Sequence, residues 1–263
     1  MTKNILKLTI IAMALFGVMS CSVKNSVDLH FQYEDYTDTI FYRIDSTDSV
    51  SYTLNISIPI ATTKNQDFND SFNSIYTDYF DIPHSTKADS IIPEFVARQT
   101  KDYNSFIAET LEFLKEEEGS FGTSMFNHEY LLNSEISMEE DADIINLILD
   151  LYVYEGGAHG SSPISCYNIS AHDGHLVDLE EIYSAGYETF VLPAIEKALV
   201  KEAGVSSYDQ IHNAGYFSDV ELYIPDNYII RNDSIDFYYN EYDIAPYYIG
   251  TTKVTIPRYG IKP

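Results

Sequence analysis

The sequence predicts an α+β protein in which antiparallel sheets pack with a few helices in two lobes. Three observations carry this. Tyr52, Leu54, Ile56, Ile58 and Ile60 alternate with polar or small residues, and Ile145, Leu147, Leu149, Leu151 and Val153 repeat the period of two, so both runs read as strands with a buried face. Runs with apolar residues at helical spacing stand between and after them. Turn signals, among them His172-Asp173-Gly174 and Pro225-Asp226-Asn227, cut the C-terminal part into short strands. No internal repeat, low-complexity tract or long linker interrupts the pattern.

The elements follow in order. Residues 22–28 read as a short tether. From Leu29 to Ile60 the chain is rich in Tyr, Thr, Ile and Asp without a long helical pattern, and it closes in the strand through 52–60. A helix is expected over about 66–80, where Phe68, Phe72, Ile75, Tyr76 and Tyr79 share one side. A longer helix follows Pro93, with Val96, Tyr103, Ile107, Leu111 and Leu114 as its apolar stripe. It ends at Glu116-Glu117-Glu118-Gly119: glycine is the expected stop, while three glutamates there oppose the helix dipole, so the run reads as a solvated helix end. Residues 121–137 and 143–155 read as paired strands around the acidic turn 139–143, with a helical reading of 144–151 ranked second. Ser165–Ala171 is a further strand closed by the His172-Asp173-Gly174 turn, and Asp178 with Glu181 makes a capping box. A helix then runs over about 187–203 and stops at Gly204. Strands are expected at about 218–224, 227–231, 234–239 and 251–257, broken by Pro225-Asp226-Asn227, Asn232-Asp233 and the loop through Pro246.

The N-terminus is of another kind. Lys3 and Lys7 precede an uncharged, mostly apolar run from Leu8 to Met19, then Ser20 and Cys21. A positive start, a short apolar stretch and small residues before the break describe an export signal, too short to span a bilayer, which needs roughly 20 apolar residues. A cysteine directly after Val18-Met19-Ser20 resembles the lipobox of bacterial lipoproteins, which implies lipid attachment at Cys21 and a cell-envelope location facing periplasm or exterior. The expected organisation is therefore a leader over 1–20, a lipid-anchored tether over 21–28, an N-terminal lobe over 29–165 and a C-terminal lobe over 166–263. Cys166 is the other of two cysteines, lies in an apolar stretch, and reads as buried filler rather than a nucleophile.

The 263 residues carry 41 Asp+Glu against 15 Lys+Arg, a net charge of −26, and the leader removes two lysines and no acid. Such a chain repels phosphates, which argues against nucleic acid and anionic lipid surfaces as partners and favours a cationic one, although solubility alone also explains acidity in an exported protein. Twenty-three tyrosines, 14 phenylalanines and no tryptophan suit half-buried sheets and recognition surfaces equally.

Two stretches are unusual. Tyr154-Glu155-Gly156-Gly157-Ala158-His159-Gly160 follows a strand directly. The segment Phe237-Tyr238-Tyr239-Asn240-Glu241-Tyr242-Asp243-Ile244-Ala245-Pro246-Tyr247-Tyr248-Ile249-Gly250 leads into the strand Val254-Thr255-Ile256-Pro257. Between them lie Tyr167-Asn168, Val177-Asp178-Leu179 and Leu222-Tyr223-Ile224-Pro225. Together, over about residues 45–260, these resemble the extracytoplasmic region of RsiV-type anti-sigma factors, the same paired domains that accompany PdaC-type peptidoglycan deacetylases. The resemblance implies lysozyme binding by the outer domain. Only Met1–Lys7 precede the apolar run and the chain stops at Pro263, so neither the cytoplasmic sigma-factor segment nor a following deacetylase domain is expected.

The chemistry points the same way. His159 after two glycines reads first as a tight strand exit with its imidazole bonded to nearby backbone, and second as a presented base, since no nucleophile or carboxylate completes a constellation. His172, Asp173 and His175 invite a metal reading but lack the further ligands zinc needs, and the acidic clusters miss the spacing of an EF-hand loop. No Gly-x-Ser-x-Gly elbow, phosphate loop or His-Glu-x-x-His string occurs. Of the tyrosines in 237–248, most are expected in the core, with Phe237 and Tyr239 facing opposite to Tyr238. The expectation is a non-catalytic envelope lipoprotein, without metal or cofactor, that binds a basic protein such as a lysozyme-like muramidase through Gly156, Gly157, His159, Tyr242, Pro246, Tyr247 and Gly250. The rivals are a peptidoglycan- or glycan-binding module and a cell-wall hydrolase acting through His159.

Overall fold

The computed structural model describes residues 28–43, 49–116, 123–138, 143–217 and 220–261. The predicted turn at 139–142, the helix end at 117–119 and Cys21 lie outside the described residues. The architecture is α+β, as the alternating and helical periods predict. The chain forms two compact units, one of His30–Asn133 with Leu151–Ser161 and one including Ser134–Asp150 and Ser162–Pro263.

In the first unit, β1 (Phe31–Arg43) pairs antiparallel with β2 (Ser49–Ala61), with Ile40 opposite Tyr52 and Asp35 opposite Ser57. The sequence delimits no strand before 52, because β1 mixes Asp, Glu, Thr and Tyr without clean alternation. In β2 the predicted alternation is literal: Tyr52, Leu54, Ile56, Ile58 and Ile60 are all buried. α1 (Gln66–Tyr79) starts at Asn65, whose side chain accepts the Phe68 N–H, and it buries Phe68, Phe72, Ile75 and Tyr76. Its Asn73 amide pairs with both backbone groups of Ala61, and Asn69 does the same with Thr63, so the polar residues on the helix continue the strand's hydrogen bonding past its end.

α2 (Ile91–Glu116) begins two residues before the predicted Pro93 start, with that proline in the first turn, where its missing N–H is no loss. Of the predicted stripe, Tyr103 and Ile107 pack against Val50, Tyr52 and Leu54 with Val96 alongside, while the side chains of Leu111 and Leu114 lie outside the described residues. Tyr103 also donates from its hydroxyl to Ser51 O and Phe126 O at 3.0 and 2.8 Å. A short 3-10 turn (Thr123–Phe126) occupies the start of the predicted 121–137 strand, and β3 (His128–Met138) begins after it. β3 runs parallel to β2, with Tyr52 opposite His128, which departs from an all-antiparallel sheet. The two helices between these strands supply the crossover that a parallel pair needs.

β4 (Ile144–Tyr154) neighbours β3 and is a strand, not the second-ranked helix. Within the second unit β5 (Ile164–Ser170) pairs antiparallel with β4, Leu147 opposite Tyr167. Ser170 N–H donates to His175 O and Val177 N–H to Asn168 O, so the His172-Asp173-Gly174 turn reverses the chain as predicted. The Asp178–Glu181 capping box opens α3 (Leu179–Tyr183), and α4 (Glu188–Glu202) buries Val191, Ile195 and Leu199 at i, i+4 and i+8. A second sheet follows in the order β6 (Tyr228–Ile230), β7 (Ser234–Tyr239), β8 (Thr252–Pro257), all antiparallel. Its apolar residues Ile235, Phe237, Tyr239, Val254 and Ile256 share one core with the α4 stripe.

The predicted strand at 218–224 is not one: described residues 220–224 are irregular. Both edges of β7 are already taken by β6 and β8, so the segment has no β7 edge to join. Leu222 and Ile224 pack against the core instead, and the Tyr239 hydroxyl donates to Tyr223 O at 2.6 Å.

Candidate functional site

The glycine–histidine motif forms a closed loop in the first unit. Val153 and Ser161 form an antiparallel bridge across it, and the Tyr154 hydroxyl donates to Gly157 O at 3.0 Å. Gly156 sits at φ +91°, and a Cβ there would collide with the Met125 carbonyl oxygen, so glycine is required twice over. Gly160 is covered by the Tyr152 ring, which a Cβ would meet at 2.6 Å. The exposed His159 has its Nδ1 at 2.9 Å from Gly160 O. The imidazole is therefore engaged with neighbouring backbone.

The tyrosine motif lies in the second unit and divides in two. Its strand part is buried: Phe237 and Tyr239 at 0% exposure and Tyr238 at 9%. Tyr238 points away from that pair yet is also covered, because that side of β7 faces Cys166 and Arg231 rather than solvent. The loop part is open. Tyr242 is 62% and Tyr248 78% exposed, and the Tyr242 and Tyr247 rings stack with centroids 6.0 Å apart. The loop is tight: Tyr242 N–H donates to Ala245 O, Ile249 N–H to Pro246 O, and Gly250 N–H to Tyr247 O. Tyr242 itself is held at φ +70°, a conformation non-glycine residues rarely adopt.

Asparagines hold this region in place, and the sequence reading passed them over. Asn240 accepts from Ile164 N–H and donates to Ile164 O at 2.9 and 3.0 Å. Asn227 bridges Cys166 N–H and Ile164 O, both at 2.8 Å. Asn168 reaches the other way, donating to Tyr228 O at 2.9 Å and accepting from Ile230 N–H at 2.7 Å. Each amide does what a strand residue's own peptide would do, so β5 is stapled to the 227–240 region by side chains. Asn168 and Asn240 stand inside the motif segments themselves, beside the tyrosines.

The second unit also carries a groove of about 440 Å³. Its carboxylates are Asp178, Glu180, Glu188 and Asp226, and its rings are Tyr187, Tyr223 and Tyr228. Among the described residues no lysine or arginine lines it. The Tyr187 hydroxyl is pushed above its ordinary pKa, first by burial and then by those same four carboxylates. Tyr223 is likewise pushed up, by burial and then by Asp243 and Asp226, so the turn carrying Asp243 stands next to the groove wall. None of these rings or acids was singled out from sequence as a site. Residues 178–188 and 223–228 are far apart in the chain, and no spacing rule joins them.

The remaining candidates resolve locally. His175 sits between Asp173 at 2.7 Å and Glu181 at 3.1 Å, and His172 lies 3.4 Å from Asp143, all on exposed side chains. Hydrogen bonds to Asp173 and Glu181 raise the His175 pKa. Among the described residues no three such groups converge closely enough to hold a metal ion. The half-buried Cys166 thiol is pushed up to about 12, chiefly by burial, so it stays protonated and unreactive. Buried Asp236 accepts from Thr255 at 2.6 Å and Arg231 at 3.0 Å, with Lys253 at 3.7 Å. Burial opposes its charge, but these partners outweigh it and hold the carboxyl below its ordinary value.

Comparison with known proteins matches these elements. Residues 45–162 match the family model described as deacetylase PdaC, and residues 180–259 match that of a protein of unknown function, DUF3298. No curated protein matches the chain. Among solved structures, a DUF3298 family member from Bacteroides fragilis superposes with a TM-score of 0.75 at 22% identity, covering 89% of this chain and 92% of that one. A DUF3298 family protein from Pseudomonas aeruginosa gives 0.54 at 13% identity, over 88% and 93%. At these identities the likeness establishes the fold. The chain thus pairs a PdaC-type region with a DUF3298 region in tandem, the pairing that its Gly-Gly-Ala-His and tyrosine-rich segments predict.

Proposed function

We propose that this chain is a non-catalytic, lipid-anchored envelope protein whose second unit captures a basic protein outside the cytoplasm, a lysozyme-like muramidase being the foremost partner. PdaC-type and DUF3298 regions support an extracytoplasmic, cell-wall-related module. The observation that carries the binding reading is the tyrosine loop. Tyr242 and Tyr248 stand exposed on a tightly bonded turn, next to carboxylates, in a chain of net charge −26. Rigid exposed tyrosines give contact area at low entropic cost, and the acidic field steers a cationic protein inward. Binding rather than catalysis is supported by the His159 geometry, since its Nδ1 lies 2.9 Å from the Gly160 carbonyl oxygen.

Calorimetric titration with a C-type lysozyme, at low and at physiological salt, tests the reading. Tight one-to-one binding that survives physiological salt is expected. Heat that vanishes with salt means general charge attraction only, because exposed charges beyond about 10 Å are screened at 0.1 M. Affinity for purified sacculi with little salt dependence would then favour the glycan reading.

A further inference from the structure

We infer that the groove between Asp178–Glu188 and Tyr223–Tyr228 is a receptor for an arginine side chain presented by the partner. The inference rests on the binding reading above but names a separate place and a separate chemistry. The groove joins two kinds of wall. Tyr187 and Tyr223 offer partly open aromatic rings, with Tyr223 38% exposed and its ring set edge-on to Tyr239 at 5.4 Å. Glu180, Glu188 and Asp226 are exposed carboxylates around them, and among the described residues no lysine or arginine lines the groove to neutralise them.

Three alternatives are weaker. The groove touches the starts of α3 and α4, which favour anions, but a helix end counts as about half a positive charge and fades within a turn. Four carboxylates outweigh two such ends. A metal ion needs ligands converging within a few ångströms, and these carboxylates are spread around a groove of about 440 Å³ instead. A lysine ammonium is a compact, strongly hydrated charge. A guanidinium is planar, weakly hydrated and presents five donors, so it can lie on a tyrosine face while its edges meet separate carboxylates. The spread of acids around rings matches the second shape.

Asp178 is occupied as the α3 cap, accepting from Glu181 N–H at 2.9 Å, and is not the group to alter. Glu188 and Asp226 make no such cap. The test titrates the purified chain with a hexa-arginine and a hexa-lysine peptide at physiological salt, then repeats it with Glu188→Gln/Asp226→Asn, with Tyr187→Ala, and with a control pair, Glu202→Gln/Asp209→Asn, of equal charge change outside the groove. Hexa-arginine is expected to bind more tightly than hexa-lysine. The groove pair and Tyr187→Ala should each weaken it on the order of tenfold, and the control pair less than twofold. Equal losses from both pairs, or equal affinity for the two peptides, overturn the inference. Lysozyme titrations of the same variants separate the two readings. Lysozyme binding indifferent to the groove variants removes the groove and leaves the binding function, whereas arginine binding without lysozyme binding keeps the groove and removes the lysozyme reading.

Discussion

The two motif segments make an instructive pair. The Gly156–Gly160 loop is turned in on itself: a β-bridge closes it, Tyr154 bonds its turn, and His159 bonds the next carbonyl. The Tyr242–Gly250 loop is equally tight in its backbone but leaves tyrosine rings in solvent. Both are distinctive as sequence, and both need unusual backbone angles. The first exposes Glu155 and His159, and the second exposes two large aromatic rings, Tyr242 and Tyr248. A distinctive motif therefore marks a position that is hard to replace, and the spent or unspent state of its side chains decides whether that position is structural or available for recognition.

The comparison breaks most visibly at the seam beneath the second region. Asn168→Ala strands the Tyr228 carbonyl and the Ile230 N–H in the interior, with a loss of about 3 kcal/mol expected in urea unfolding, since each buried unpaired group costs about 1–3 kcal/mol. A loss under 0.5 kcal/mol would show that the amide is no staple. Gly156→Ala is expected to cost about 2 kcal/mol through both the positive φ and the Met125 carbonyl, measured by the same method. His159→Ala beside it should stay within about 0.5 kcal/mol and leave lysozyme affinity unchanged; a large drop in affinity would move the site to the first unit.

Arg231→Ala removes one partner of buried Asp236, and about 2 kcal/mol is expected, because Thr255 and Lys253 remain. Asp236 carries a pH signature as well. Its folded pKa lies below its unfolded one, so its stabilisation is present above the ordinary aspartate value of 3.8 and is lost as pH falls through the folded value. Asp236→Asn should flatten that acid limb.

The smallest effects come from two histidines of opposite sign. His175 is raised by Asp173 and Glu181, so its contribution is complete below pH 6.5 and fades as pH rises through the folded pKa, by only a few tenths of a kcal/mol on side chains this exposed. His128 packs among Tyr103 and Phe106 at 4.8 Å, and burial lowers its pKa, so it destabilises as pH falls below 6.5. NMR titration of the two imidazoles would show the divergence, and two coincident midpoints would refute it.

Much of the secondary structure was written locally. The buried alternation of Tyr52 to Ile60, the α1 stripe, the α4 helix with its glycine stop, the Asp178–Glu181 box and the His172-Asp173-Gly174 reversal each depend on residues within a few positions of one another, so period and capping chemistry were enough to read them. Other features depend on partners distant in the chain. Whether 220–224 becomes a strand depends on distant packing: Leu222 and Ile224 lie on the core and Tyr223 O accepts from the Tyr239 hydroxyl. Whether β3 runs parallel to β2 is settled by the crossover helices. Whether Asn168, Asn227 and Asn240 are surface amides or staples is settled by where β5 lies. The groove belongs to the same class: its acids and rings are ordinary in sequence, and only folding gathers them, because the hydrophobic core packs 179–199 and 228–256 together irrespective of the polar chemistry carried along the rim. Sequence alone determined most of the helices, the alternating strands and the paired-family kinship; tertiary packing decided the remaining strands, and which polar residues were consumed inside and which were left facing out.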